Sequence, residues 1–334
     1  MNTGLRRVVP VVLLGAASIA AACSTSTSDL GAAPAAATKP GTDGDHAPPD
    51  ASSGSSGTPA KDGGDPGTKD ASITPKNNGF PAKWIDGTAC GTDPDVQTWE
   101  FTPDTFILRQ SLCTTFEGPF MYLFVGSTRA LMVDTGTGGV DLRGKVMGLL
   151  AGKNVELVVA HSHSHGDHVN GDAAFRNQAN TTVVGTPTSA VRQFFGITGD
   201  TPAAYDLGGR IIDVLTIPGH QAAHVAYYDH ETQLLLTGDT LYPGRLYIDD
   251  WSSYRTSVPR LVAFVDAGRP VSFVLGGHVE MPKTGADFQF GIQVHPNEHA
   301  LQLGDPELRE LAGAVTAMGA TPTRQVHPSF IISP

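Results

Sequence analysis

His161-Ser162-His163-Ser164-His165-Gly166-Asp167-His168 is the stretch on which the reading of this chain turns. Four imidazoles and a carboxylate follow directly on the apolar run 155–160. These are the donors that zinc and similar divalent ions prefer. Donors packed this closely converge only where the backbone turns round a cation, and Gly166 eases such a turn. In an extended segment alternation sends His163 and His165 to one side, so those two can share an ion. Beyond the turn, Asp167 and His168 are adjacent and must diverge, which suits a second ion beside the first. The spacing therefore predicts a two-metal site. A competing register through His161 leaves Asp167 and His168 unexplained, so His161 is read as a flanking residue.

Three further candidates end strand-like or apolar runs. They are His220 in Ile217-Pro218-Gly219-His220, Asp239 in Thr237-Gly238-Asp239 and His278 in Gly276-Gly277-His278. Each follows a glycine, which permits close approach of the backbone to a site. Any one of them alone reads as well as a polar loop residue. All three together, after the octet, read as ligands.

These motifs resemble the metallo-β-lactamase-fold hydrolases. The family's ordered signature is an acid after an early strand, His-x-His-x-Asp-His, a later Gly-His, a Gly-Asp and a final Gly-His. All five occur here in order, between about Trp99 and Pro282. The resemblance implies an α/β fold, a four-layer αβ/βα sandwich with metals at the sheet rim. It implies two Zn2+ ions, with iron or manganese as the alternative. By position, His163, His165 and His220 would hold one ion, Asp167, His168 and His278 the other, and Asp239 would bridge them. Asp134 in Met132-Val133-Asp134-Thr135-Gly136 matches the early acid. A carboxylate that accepts the free N–H of a ligand histidine fixes its tautomer, which gives Asp134 a supporting role behind the site. Capping its own Asp-Thr-Gly turn is a second, compatible role. His224, four residues after His220, is read as a supporting or structural histidine rather than a ligand.

Two ions sharing a water lower its pKa towards neutrality and polarise a carbonyl or phosphoryl oxygen. Hydrolysis by a bridging hydroxide is the expected reaction, with Asp167 also holding the nucleophile. His224, Tyr247 and His299 are the candidates for proton donor. Asp239 stands where two classes of zinc β-lactamase carry cysteine, and His165 where redox di-iron relatives carry glutamate; both departures argue against those groups. A mononuclear iron dioxygenase of the same fold and a non-catalytic metal-binding envelope lipoprotein stay open as alternatives.

Composition sets the context. The chain has 334 residues and a formal charge of -11, from 22 basic and 33 acidic side chains. That balance argues against a nucleic-acid surface, which needs basic patches. Residues 1–23 carry Arg6 and Arg7, then an apolar run, then Ala20-Ala21-Ala22-Cys23, the layout of a secretory signal. The end resembles a bacterial lipoprotein signal with Cys23 as the lipidated residue. The apolar run is shorter than the roughly 20 residues needed to span a bilayer. Residues 24–78 are Ala, Gly, Pro, Ser, Thr and Asp with few large apolar side chains, and read as a disordered tether. Residues 79–334 are then the catalytic domain. The expected location is the periplasm or outer membrane, with the membrane met only through the lipid. In an oxidising compartment Cys90 and Cys113 are the pair left to form a disulfide. Export argues against an intracellular glutathione-thioester role and leaves small esters, lactones, lactams or phosphoesters. Strand-like runs fall at 121–125, 130–133, 155–159, 211–215 and 234–236, and helical ones at 141–150, 187–195, 258–267 and 305–318. Residues 241–251, directly after Asp239, are expected to line one wall of the cleft. His295-Pro296-Asn297-Glu298-His299 could fold back towards it.

Overall fold

A computed structural model describes residues 78–284 and 287–334. The expected signal segment with Cys23, and all of the expected tether except Asn78, lie outside the described residues.

Apolar and aromatic residues fill the central strands continuously, so these strands bury both faces. The first sheet holds β1 (Val96–Thr102), β2 (Thr105–Gln110), β3 (Phe120–Val125), β4 (Arg129–Val133), β5 (Glu156–Ala160) and β6 (Thr181–Val183), side by side in chain order. Pairing is antiparallel from β1 to β4 and parallel from β4 to β6. The second sheet takes β7 (Ala203–Asp206), β8 (Ile211–Thr216), β9 (Val225–Asp229) and β10 (Leu234–Gly238). After the short β11 (Arg245–Tyr247), β12 (Phe273–Gly276) returns to lie parallel to β10. A small third sheet pairs β11 with the C-terminal β13 (Gln325–Val326) and β14 (Ile331–Ser333) in the order β11-β14-β13.

Alternation along each strand assigns its two faces. On β3, Phe120, Tyr122 and Phe124 enter a core shared with Val214, Tyr227 and Leu236 of the second sheet. Met121, Leu123 and Val125 point the other way and pack with Leu142 and Val146 of α1 (Leu142–Leu149). On β10, Leu234 and Leu236 face the shared core, while Leu235 packs with α4 (Trp251–Asp266) and α5 (Asp305–Met318). Helix, sheet, sheet and helix thus form four layers. The second sheet's outer helices are amphipathic, burying Tyr254, Val258, Leu261 and Phe264 from one and Leu308, Leu311 and Val315 from the other. Two shorter helices, α2 (Gly166–Val169) and α3 (Thr188–Phe195), lie in the connections.

A buried arginine, paired with an aspartate of its own sheet, reaches across to the other sheet. Arg210 donates to both Asp229 oxygens at 2.9 and 2.6 Å, to Thr105 Oγ1 at 2.6 Å and to the Asp104 carbonyl at 2.7 Å. The guanidinium's planar fork suits this many acceptors. Cys90 and Cys113 are joined by a disulfide with Cα atoms 5.4 Å apart, which ties the segment before β1 to the loop between β2 and β3.

The helix expected over 258–267 begins at Trp251, capped by Asp250. Pro259 lies inside it and gives up one backbone donor, a cost offset by the buried face of the same helix. Strands β1, β2, β6, β7, β11, β13 and β14 were not among the expected runs. No helix among the described residues is long and apolar enough to cross a membrane.

Candidate metal centre

The octet leaves β5 in extended backbone, and His165 at ψ 152° precedes the single turn of α2. Extension puts His163 and His165 on the same side, and the helical turn swings Asp167 and His168 away from them. Loops after β8, β10 and β12 bring in His220, Asp239 and His278. The seven side chains form two groups of converging donor atoms: His163, His165 and His220, and Asp167, His168, Asp239 and His278.

In the first group the nitrogens are His163 Nε2, His165 Nδ1 and His220 Nε2, separated by 3.1, 3.2 and 3.0 Å. In the second, His278 Nε2 lies 3.2 Å from His168 Nε2 and 3.1 Å from Asp167 Oδ2, and His168 Nε2 is 3.3 Å from the same oxygen. A tetrahedral ion with bonds of about 2.0–2.1 Å requires ligand atoms roughly 3.3 Å apart, so both groups have the size of a metal shell. Asp239 Oδ2 stands between them, 3.7 and 3.6 Å from His163 and His220 on one side and 3.5 Å from both His168 and His278 on the other. Its second oxygen, Oδ1, is buried and has no hydrogen-bond partner. A buried carboxylate oxygen without a donor is costly, and a cation at this place would remove the cost. The donor set therefore fits two divalent ions.

Each of four ligand rings is oriented from behind. His168 Nδ1 lies 2.8 Å from Asp134 Oδ2, and Asp134 Oδ1 accepts the Ser162 amide at 2.7 Å. Asp134 adopts φ 68° to reach both. Ser162 Oγ is 3.1 Å from His163 Nδ1 and donates to Asp134 at 2.8 Å. His220 Nδ1 donates to the Tyr247 carbonyl at 2.7 Å, and His278 Nδ1 to the Glu117 carbonyl at 3.0 Å. In the neutral rings these contacts keep the hydrogen on Nδ1, so that Nε2 of His220 and of His278 can ligate.

The glycines before His220, Asp239 and His278 are all sterically required, and a Cβ on Gly219 would come within 2.6 Å of Tyr254 Cα. A Cβ on Gly277 would come within 2.4 Å of Asp239 Oδ1 and 2.8 Å of His168 Cε1. One on Gly238, at φ 47°, would meet His224 Nε2 at 2.6 Å.

The charges sort the site. Burial, with the neighbouring His168, pushes His163 well below the usual imidazole value, and burial also lowers His220. Burial opposes protonation of His168 and His278 too. The carboxylates around them, Asp239 foremost, outweigh it and hold both well above the usual value. Burial likewise opposes the charge on Asp239, but His278, His168 and His163 keep it ionised. The field that draws protons to His168 and His278 is the field that would draw in a cation.

Other sequence candidates fall out differently. His224 is buried, with Nδ1 3.4 Å from Thr240 Oγ1 and Nε2 without a partner. It packs against His163, with ring centroids 4.7 Å apart, and makes no hydrogen bond to a ligand residue. His161 stands outside both groups and meets Asp172 at 2.7 Å. Asp172 also accepts from Thr135 and Arg176, at 3.0 and 2.8 Å, and so braces the turn carrying Asp167 and His168. That role was not read from the sequence. Within residues 241–251, Leu241, Tyr242 and Leu246 are buried in the outer core, and Tyr247 is exposed. Glu298 is held by Arg109 at 2.5 and 2.6 Å, and His295 stacks on Phe288. His299 lines a separate cavity of about 500 Å³ with Trp84, Lys83 and Lys283.

Hydroxyacylglutathione hydrolase of Rhizobium meliloti is 32% identical over 154 residues, 45% of this chain and 57% of the relative. The Ruegeria pomeroyi protein of the same name is 29% identical over 151 residues, 44% and 56% of the two chains. The chain thus spans little more than half the length of these relatives. The solved metallo-β-lactamase from Pontibacter korlensis aligns with a TM-score of 0.49 and 16% identity, over 66% of this chain and 99% of that one. The family model of the metallo-beta-lactamase superfamily matches residues 114–278, the segment that carries Asp134 and all seven converging donors. By that match and the motifs it contains, residues 114–278 are a metallo-β-lactamase superfamily domain.

Proposed function

We propose that this protein is a hydrolase that uses two zinc ions to cleave a small ester, lactone, lactam or related acyl bond. The observation that carries the reading is Asp239 Oδ2, placed 3.5–3.7 Å from imidazole nitrogens of both donor groups. His163, His165 and His220 would hold one ion, Asp167, His168 and His278 the other, with Asp239 spanning them. Zinc held in this way would lower the pKa of a bound water and polarise an acyl oxygen.

The chain's own residues then do the following. Asp134 holds His168 in the tautomer that presents Nε2, and the Tyr247 and Glu117 carbonyls do the same for His220 and His278. Asp167, whose side chain is 18% exposed against 0% for His168, is the carboxylate that meets an incoming reactant. It accepts a hydrogen bond from the attacking water and fixes its direction. The water oxygen bonds to the acyl carbon, the bond to the leaving heteroatom breaks, and that heteroatom takes up a proton. His224 is fully enclosed and is poorly placed to supply it, whereas Tyr247 is 42% exposed.

The names of the two bacterial relatives favour adding acyl thioesters to the substrate range. The proposed setting remains the cell envelope, on the strength of residues 1–23 and Cys23. Seven converging donors support turnover over a non-catalytic role, and two complete groups support two ions over a single iron.

Asp167→Asn tests the reading. With the fold intact, turnover of a confirmed ester, lactone or thioester should fall by about 10²–10⁴-fold, the usual contribution of a group that handles a proton in the transition state. Unchanged turnover would remove Asp167 from the mechanism.

A further inference from the structure

Large apolar side chains exposed to solvent are few among the described residues, and three of them, Phe290, Ile292 and Val294, occupy one short segment at 64%, 39% and 40% exposure. A cluster of this kind on a folded surface marks a place where something apolar binds. The segment is anchored. The Phe288 amide donates to the Glu280 carbonyl at 2.9 Å, and Arg245 donates to the Phe288 carbonyl at 2.8 Å. The His295 amide donates to Asp86 O at 2.8 Å, and Phe288 stacks on His295 with ring centroids 4.3 Å apart. Its exposed side chains are therefore presented by a fixed backbone.

Its position ties it to the second donor group. Glu280, its backbone partner, is two residues beyond His278. Phe290 packs edge-on against Phe116 at 5.3 Å, and Phe116 precedes Glu117, whose carbonyl receives His278 Nδ1. Across the site Tyr247 is 42% exposed, and its carbonyl receives His220 Nδ1. Exposed apolar surface thus abuts the backbone that holds one histidine of each group.

We propose that Phe116, Phe290 and Ile292 form a wall beside the His278 end of the centre that binds the apolar chain of the substrate, making this a hydrolase of medium-length acyl compounds. The proposal rests on the hydrolytic reading for its reaction, though the wall itself can be tested by binding. A chain lying on the wall is covered on one side, so each added methylene contributes less than the roughly 0.8 kcal/mol of full burial, or about two- to threefold in affinity.

The test uses the zinc-loaded protein and two ladders of straight-chain compounds from four to ten carbons. One ladder is of ethyl esters, followed by turnover; the other is of the free carboxylates, followed by calorimetric binding. Both kcat/KM and carboxylate affinity should rise about two- to threefold per methylene, and Phe290→Ser and Ile292→Ser should each flatten the rise. If no ester is turned over but the carboxylate ladder rises and flattens in the variants, the wall stands and the hydrolytic reading falls. A carboxylate ladder that is flat in the wild type, or equally steep in both variants, overturns the wall. Binding to phosphatidylethanolamine–phosphatidylglycerol vesicles that is lost in Phe290→Ser, together with a flat ladder, also overturns it and assigns the segment to a lipid surface.

Discussion

At Asp239 one carboxylate oxygen faces four imidazole nitrogens at 3.5–3.7 Å while the other meets no donor at all. No arrangement of protons satisfies such a residue as well as two cations would, which is why the donor geometry is read as a dinuclear centre. Asp172 shows how the same short stretch is braced without a metal. Burial raises its pKa, but hydrogen bonds from His161 and Thr135 and the charge of Arg176 win, and the folded value lies below the ordinary carboxylate value. A depressed folded pKa adds stability above the unfolded value of about 4 and loses it as pH falls through the folded value. Metal-free protein should therefore lose stability to urea as pH falls below about 4, and Asp172→Asn should show a shallower loss over that range. An identical slope in the two proteins would mean that Asp172 is not held in this way.

Among the elements, the disulfide between Cys90 and Cys113 closes a sequence separation of 23 residues and restrains the loop whose Glu117 carbonyl orients His278. Loop-closure entropy for that length is worth about 3 kcal/mol. The Cys90→Ser, Cys113→Ser double variant should lose about that much in urea unfolding, whereas a loss under about 1 kcal/mol would show that the bridge constrains little. What could be read of the elements from sequence divides along physical lines. Strands β3, β4, β5, β8 and β10 are apolar on both faces and declare themselves. Strand β2 ends in Arg109 and Gln110, which look like surface residues; Arg109 is buried only because Glu298, 189 positions away, neutralises it. The start of α4 was hidden because Pro259 reads as a helix beginning, while the buried face of the helix extends back to Tyr254. The donors were legible because histidine and aspartate carry a chemical meaning as residue types, and four of the seven, Asp167, His220, Asp239 and His278, follow a glycine. The groups that orient them were less so: the carbonyls of Glu117 and Tyr247 are backbone atoms, which any residue would provide.

Over the whole molecule, two sheets share one core and each covers its outer face with helices, and Arg210, paired with Asp229 in the second sheet, donates across to Thr105 of the first. The consequence for function is positional. The seven donors come from the ends of β5, β8, β10 and β12 and from the turn of α2, so segments 57 residues apart must dock to complete the first group and segments 110 apart to complete the second. Metal binding and folding would accordingly be linked, since the unfolded chain lacks the converged donors. The central claim is the count of ions. Elemental analysis of the folded protein, purified without chelator, should find two zinc ions per chain; a single iron, or a folded chain that stays empty when zinc is supplied, would contradict it.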